Sequence, residues 1–546
     1  MKDRLFTIRQ GIESVDDVSI VEDFFDDQGV IRGSISVQQE SATLIFAVMI
    51  YPMYPFQFHG TETVRFFNSS LIEYNHVNRD GSVCVHTPHH IDLKSKIFHD
   101  IESLKLWMRK YYIEKQEDSH YDHIVTYESV HLKRKHAYLF TELSCKFDKE
   151  TFGSFKYSLL SRGFHQQQEI DTYIIQGLNV DKKYHTCTWS SYYKNLETLE
   201  GTYIFLEHTP VNNRRFIIEN WLELEQYISQ ESLKFLDGVR KSMIFRQNKI
   251  SELPILIGYK IPTGEVHWQC AIISTEDFPN YAEKISQGNY RGRLKDSMID
   301  WVQTKNSSYA YFFGRGALEP GFTDKRILLI GTGAVGSMVA TTPTRSGCKD
   351  LTLVDYDVKE PENVCRSEFK FSAGITGKIN ELRNTLVEIS PFVDISMLPD
   401  FADVVKIYAA NHSFQNELSD IMGKYDLIID CTADNDMAHL FDLLDVDANI
   451  INLSITNYAL DLLCAVKPNL HHVKQQMLRG REENENDLYN PTGCWSPTFR
   501  ASYNDINLLV QHAIKHINQI YKAGKSLRNF RLTYDPEDLT VKLTQF

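Results

Sequence analysis

Residues 326–337 read RILLIGTGAVGS, an apolar run of strand length that passes directly into Gly331, Gly333 and Gly336. Glycines at this spacing, between a strand and a helix, permit a tight turn and let backbone N–H groups and a helix N-terminus approach phosphate. The loop by itself serves dinucleotides as well as ATP. Working outward, residues 351–355 (LTLVD), 425–431 (YDLIIDC) and 449–455 (NIINLSI) are further short apolar runs, with helix-like stretches such as 377–388 between them. Strand alternating with helix predicts a doubly wound parallel sheet, with its ligand site at the carboxyl ends of the strands.

Asp355 ends the second run, where a carboxylate accepts hydrogen bonds from ribose hydroxyls. A dehydrogenase has the same feature. The next stretch, DYDVKEPENVCRSEFKFSAGITGK (355–378), puts Asp357, Asn363, Arg366 and Lys378 on one excursion from the crevice. Hydride transfer has no use for that set. Phosphate chemistry does, because a guanidinium and an ammonium neutralise charge that grows when a carboxylate attacks the α-phosphorus. Asp434, just past 425–431, is placed to hold Mg2+ with Asn435 nearby. Taken singly, Asp434 also reads as a helix cap, and Arg366 or Lys378 as a solvated charge. Pro343 falls in the helix after the glycine loop, so that helix is expected to end early or kink.

In their order, G-x-G-x-x-G, D-x-D, N-x-x-R, a lysine and D-N resemble the ThiF/MoeB/ubiquitin-activating superfamily over residues 311–470. The resemblance implies an ATP- and Mg2+-dependent adenylyltransferase. Asp355 would bind ribose, Asn363, Arg366 and Lys378 the phosphates, and Asp434 the magnesium. In this family an arginine ahead of the first strand reaches ATP from a neighbouring subunit. Arg315 is the nearest candidate, and a turn arginine is the equal alternative.

The nine cysteines are odd in number and include no C-x-x-C pair, which argues against a disulfide framework or a structural zinc site. Most are expected to be buried and inert. Cys494 lies in NPTGCWSPTFRASY (490–503), ahead of a helical stretch over 503–521. A thiol near a helix N-terminus has its pKa lowered, which suits acyl capture; a buried structural cysteine is the alternative. The G-C-x-x-P-T-F stretch resembles the activating domain of bacterial ubiquitin-like conjugation systems, which implies that Cys494 takes the acyl group from the adenylate.

Residues 1–150 read as a small α+β pattern, with strand-like segments at 31–37 and 42–51 and a helix near 98–112. Within it, YPMYPFQF (51–58) and HVNRDGSVCVHTPHH (76–90) resemble a ubiquitin-conjugating enzyme: Tyr54, Pro55 and Phe56 match one element, His76 and Asn78 the next, Gly81 and Cys84 the last. The resemblance implies a thioester on Cys84, with Asn78 donating to the oxyanion formed on amine attack and His76 ordering the turn. Val77 stands where the family has proline, and Asn78 lies closer to the cysteine than in the family pattern. His86, His89 and His90 border the loop; as metal ligands they lack a further ligand at a recognised spacing.

Residues 151–310 carry strand-like pieces and a helical stretch near 219–240 without a catalytic motif, and read as an α+β linker domain. The expected architecture is multidomain α/β: a ubiquitin-conjugating-like domain (1–150), the linker domain (151–310) and a Rossmann-like ThiF adenylation domain (311–546). The 546-residue length fits several domains of about 150 residues each. A net charge of -14 argues against nucleic acid as a direct partner. Residues 1–20 contain no apolar signal core and 44–54 are too short to span a bilayer, so a cytoplasmic protein is expected.

The two modules in one chain resemble the fusion enzyme of bacterial CBASS anti-phage operons. That resemblance implies a homodimer that adenylates the C-terminus of a cGAS-like nucleotidyltransferase, relays it through Cys494 and Cys84, and joins it to a target amine. Other readings are a sulfur-carrier or tRNA-modifying adenylyltransferase, which needs no Cys84; an NAD-dependent oxidoreductase, which leaves 363–378 unexplained; and a binding scaffold.

Overall fold

The computed structural model describes residues 2–546 apart from 59, 86, 117–134, 166–167, 211–217, 246–251, 262–263, 275, 399–400, 402–412 and 479–500. It divides into two compact units, residues 1–187 with 196–306, and residues 188–195 with 307–546. Among the described residues no helix is long and apolar enough to cross a membrane.

The first unit begins with helix α1 (Lys2–Glu13) and an antiparallel meander of β1 (Val18–Asp27), β2 (Val30–Gln39), β3 (Ala42–Ile50) and β4 (Val64–Phe67). Helix α2 (Leu93–Trp107) starts at Asp92, whose carboxylate accepts from the Ser95 N–H, satisfying one of the free donors of the first turn. Its apolar residues Ile97, Ile101 and Leu104 recur at helical spacing, so they form one stripe that buries against Phe46, Val48 and Phe66 of the sheet and Ile8 and Ile12 of α1.

An eight-stranded sheet follows in the order β5 (Lys135–Phe140), β14 (Trp301–Asn306), β11 (Val266–Ser274), β10 (Glu252–Lys260), β9 (Thr198–Phe205), β6 (Thr151–His165), β7 (Gln168–Val180) and β8 (Lys183–Thr186). β5 also pairs with β7, so the sheet closes on itself. β5 lies in the stretch assigned above to the first segment, yet its partners are in this second sheet. Only long-range pairing reveals that, because nothing in KHAYLF says which neighbours it has. Helix α3 (Gln230–Phe245) and a hairpin of β12 (Asn280–Ser286) and β13 (Asn289–Leu294) pack nearby.

The second unit is built on β17 (Asp394–Met397), β16 (Asp350–Val354), β15 (Arg326–Ile330), β18 (Leu427–Asp430) and β19 (Asn449–Thr456), adjacent in that order and all parallel. The sheet continues antiparallel through β20 (Asp461–Val466), β21 (Phe530–Asp535) and β22 (Thr540–Gln545). Leu329, Leu353 and Ile429 face helices α4 (Ala334–Arg345), α5 (Lys378–Ile389) and α8 (Tyr503–Lys522). Leu328, Ile330 and Ile428 face α6 (Asn435–Leu443) and α7 (Leu470–Leu478). Burial on both faces explains why these strands are continuous apolar runs rather than alternating ones. The strand order reverses between β15 and β18, which sets the crevice where ligands bind in such sheets.

Helix α4 does not end ahead of Pro343; it runs to Arg345 with the proline in its last turn. The Pro343 carbonyl there accepts from the N–H groups of Ser346 and Cys348, which satisfies one of the free carbonyls of the last turn. The excursion after β16 is closed at its base, where Lys359 N–H donates to Thr376 and Lys378 N–H to Asp357. Beneath that base the ammonium of Lys359, 2% exposed, stands 2.8 Å from the Glu381 carboxylate and donates to the Lys370 carbonyl. Glu381 in turn accepts from the Lys370 N–H.

Removing one member of a buried pair strands the other charge. Lys359→Met is therefore expected to destabilise the second unit by about 3–5 kcal/mol in urea denaturation, with most of the loss recovered in Lys359→Met/Glu381→Gln. Wild-type stability in the single variant would contradict a structural role for the pair.

Candidate active site

The glycine loop occupies the predicted position between β15 and α4. Gly331 has φ +82, a left-handed conformation that favours glycine, and a methyl group on Gly336 would overlap the Gly331 carbonyl. Around Gly333 a side chain would meet nothing within 4 Å, so the loop leaves open space beside its backbone. These features make a cradle of the kind a phosphate chain occupies.

Asp355 fastens this cradle. One carboxylate oxygen accepts from the Thr332 N–H at 2.7 Å and its hydroxyl at 2.9 Å, and the other accepts from the Asp357 N–H. A carboxylate has about four lone-pair positions, so capacity remains for a hydroxyl donor. Asp357 pairs with the Lys378 ammonium, which sits in the first turn of α5. Asn363 caps the short 3-10 turn Pro361–Arg366 by accepting from the Glu360 N–H at 2.9 Å. Its side-chain oxygen therefore holds the excursion's own backbone. Arg366, half-buried, ends that turn and makes no ion pair among the described residues. The Glu368 N–H donates to Ser337 Oγ at 3.2 Å, which ties the segment after Arg366 to the helix that leaves the glycine loop.

Asp434 is the N-cap of α6, accepting from the Asp436 N–H at 2.8 Å through one oxygen. The cap reading and the magnesium reading are compatible, since the other oxygen makes no hydrogen bond among the described residues. No group of three His, Cys, Asp or Glu side chains able to hold a metal is found among the described residues. Mg2+ bound with a nucleotide typically takes one or two carboxylates and completes its shell with phosphate and water. Lys474 of α7 was missed in the sequence. It is 4% exposed, its Nζ has no hydrogen-bond partner among the described residues, and burial lowers its pKa against the attraction of Asp430 and Asp434. Burial raises the pKa of Asp430, which accepts from Thr432 and Asn452. A lysine far along the chain carries no local signal of that placement.

Arg315 is exposed in a turn after the short helix Tyr309–Phe313 and makes no ion pair among the described residues. Cys494 and His86 lie outside the described residues. At the start of α8, downstream of Cys494, the Tyr503 hydroxyl donates to Glu368 at 2.5 Å. That bond brings the helix after Cys494 against the excursion that carries Arg366. Burial pushes the thiols of Cys187, Cys270 and Cys464 up, which leaves them poor nucleophiles.

In the first unit Cys84 is half-exposed, and its N–H donates to the His76 carbonyl at 2.7 Å. The Asn78 amide donates to Ser82 Oγ at 2.9 Å, and the Asn78 N–H to the Ser82 carbonyl. His76, at φ +60, packs its ring on Tyr111. His89 stacks on Phe56 and His90 on His99, so these two histidines diverge rather than converge on a common point.

Residues 314–447 match the ThiF family. Over 374 residues the chain is 23% identical to the ATP-dependent ubiquitin transferase-like protein Cap2 of Enterobacter hormaechei subsp. hoffmannii (strain UCI 50), covering 63% of this chain and 60% of that protein. Ubiquitin-like modifier-activating enzyme 5 of Caenorhabditis briggsae is 32% identical over 20% of this chain and 25% of its own length. Molybdopterin-synthase adenylyltransferase of Escherichia coli (strain K12) is 27% identical over 22% of this chain and 43% of its own. The matched part thus spans 60% of the first relative and smaller shares of the other two. Residues 314–447 thus match the ThiF family, in a chain that is similar to an ATP-dependent ubiquitin transferase-like protein.

Proposed function

We propose that the second unit adenylates the C-terminal carboxylate of a protein and that two thiols of the same chain carry the acyl group onward to an amine. The observation that carries this reading is the hydrogen-bonded chain that runs from Thr332 in the glycine loop through Asp355 and Asp357 to Lys378, with Arg366 at the end of the next turn making no ion pair among the described residues. Asp355 accepts from ribose hydroxyls, while Asn363 stiffens the turn that presents Arg366. Arg366 and Lys378 offset phosphate charge as the carboxylate oxygen bonds to the α-phosphorus and the bond to pyrophosphate breaks. Asp434 would hold Mg2+, which supplies further neutralisation of the phosphates.

The acyl adenylate is then attacked at its carbonyl carbon by the Cys494 thiolate, and AMP leaves. The Cys84 thiolate displaces that of Cys494 in a second exchange. Finally an amine attacks the Cys84 thioester, the thiolate departs, and the amine's proton passes to solvent. His76 orders the turn before Cys84, and the amide hydrogen of Asn78 not engaged with Ser82 is available to the oxyanion. Similarity to an ATP-dependent ubiquitin transferase-like protein supports a protein acyl donor over a sulfur carrier. The resemblance of the two modules to the CBASS fusion enzyme supports a cGAS-like nucleotidyltransferase as the donor and a cytoplasmic homodimer as the enzyme.

Incubation with ATP, Mg2+ and a candidate cGAS-like nucleotidyltransferase is expected to give reductant-sensitive adducts at both thiols, resolved by peptide mass spectrometry. Cys494→Ala should abolish both, and Cys84→Ala should leave the Cys494 adduct alone. Equal adducts in wild type and Cys494→Ala would overturn the relay, and adenylate formation without any thioester would favour the sulfur-carrier reading.

A further inference from the structure

The first unit holds a buried polar cluster that no step above uses. The Lys96 ammonium, 1% exposed on α2, lies 2.8 Å from Glu62, 2.5 Å from Asp100 and 2.5 Å from the Thr87 hydroxyl. The Thr87 hydroxyl donates to Asp100 at 2.5 Å, and the Tyr54 hydroxyl donates to the other Asp100 oxygen at 2.9 Å. The Thr87 N–H points at Glu62 from 3.4 Å, and Gln57 donates to the same oxygen at 2.6 Å. Tyr54, Glu62 and Asp100 are themselves buried.

Two carboxyl groups and one ammonium in an apolar core are costly to assemble, and a cluster kept for stability alone is often replaceable by packed apolar residues. What this one joins suggests a purpose. It ties the turn containing Tyr54, the start of the strand after Glu62, and α2 to a single point on the chain just past Cys84. The N-terminal side of Cys84 is already fixed, with its own N–H on the His76 carbonyl and the Val83 N–H on the Phe66 carbonyl. Val85 packs into the core, and Thr87 is the first side chain after Cys84 among the described residues that is anchored by hydrogen bonds. The intervening chain spans at most about 10 Å, so slack at Thr87 becomes displacement at the thiol. Burial raises the pKa of Asp100; burial would also raise that of Glu62, but hydrogen bonds from Lys96 and Gln57 hold it below the usual range.

We propose that Thr87, gripped by Lys96 and Asp100, is a positioning residue that fixes the Cys84 thioester for attack by the acceptor amine. The inference rests on the reading of Cys84 as the second thioester site. Thr87→Val keeps the shape of the side chain and leaves Lys96 and Asp100 to pair with each other, so the unit is expected to fold; Thr87→Ser retains the hydroxyl.

In single-turnover assays on the full chain, with free lysine as the amine, Thr87→Val is expected to slow discharge of the Cys84 thioester about tenfold, a typical scale for sub-ångström misplacement. The lysine concentration for half-maximal rate should not change, and Thr87→Ser should restore the rate. A purely structural hydroxyl would lower the melting temperature of Thr87→Val without that split. Wild-type discharge in Thr87→Val, or equal slowing in Thr87→Ser, overturns the inference while the relay stands. Absence of any Cys84 thioester in the wild type overturns the relay itself, and the inference with it.

Discussion

The carbonyl of Gly331 lies so close against the α-carbon of Gly336 that the turn closes only without a side chain there. The close approach sends β15 straight into α4, leaves open backbone at Gly333, and sets Thr332 where both its N–H and hydroxyl reach Asp355. Asp355 then passes the constraint on through the Asp357 N–H and the Asp357–Lys378 pair to the far end of the excursion. The buried Lys359–Glu381 pair holds the base of that excursion from below. One steric requirement at a glycine is thereby linked, through a handful of charged hydrogen bonds, to the placement of Asp355 and Lys378.

Much of the second unit was legible in the sequence because its strands are buried on both faces, so runs such as RILLI and LIID are short, apolar throughout and set between helix-like stretches. The antiparallel extension β20–β22 was not read. DLLCAV is as apolar as its parallel neighbours, and strand direction is set by how far the connecting chain travels rather than by the strand's own residues. The excursion's charges were legible as a set because their order carries information that each lacks alone. Lys474 was not, since an isolated lysine acquires meaning only when the fold buries its ammonium near Asp430 and Asp434.

In the first unit, the loop around Cys84 was legible as a local motif, whereas the cluster under it was not. Tyr54, Glu62, Thr87, Lys96 and Asp100 are drawn from four separate segments, and only Lys96 and Asp100 share a spacing that a helix brings together. The same limit explains β5, which pairs with β7 and with β14, the latter more than about a hundred residues further along the chain. Chemistry concentrated in a short loop can be read from residues alone; support for that chemistry is assembled from distant ones.

The central claim is that the β15/β18 crevice is built for ATP. Calorimetric titration of ATP with Mg2+ into the full chain, beside Arg366→Ala, tests it without requiring any partner protein. Saturable binding is expected, weakened by at least about tenfold in the variant as for loss of a charge-assisted phosphate contact, with no comparable binding of NAD. ATP binding of equal strength in both proteins, or preferential binding of NAD, would contradict it.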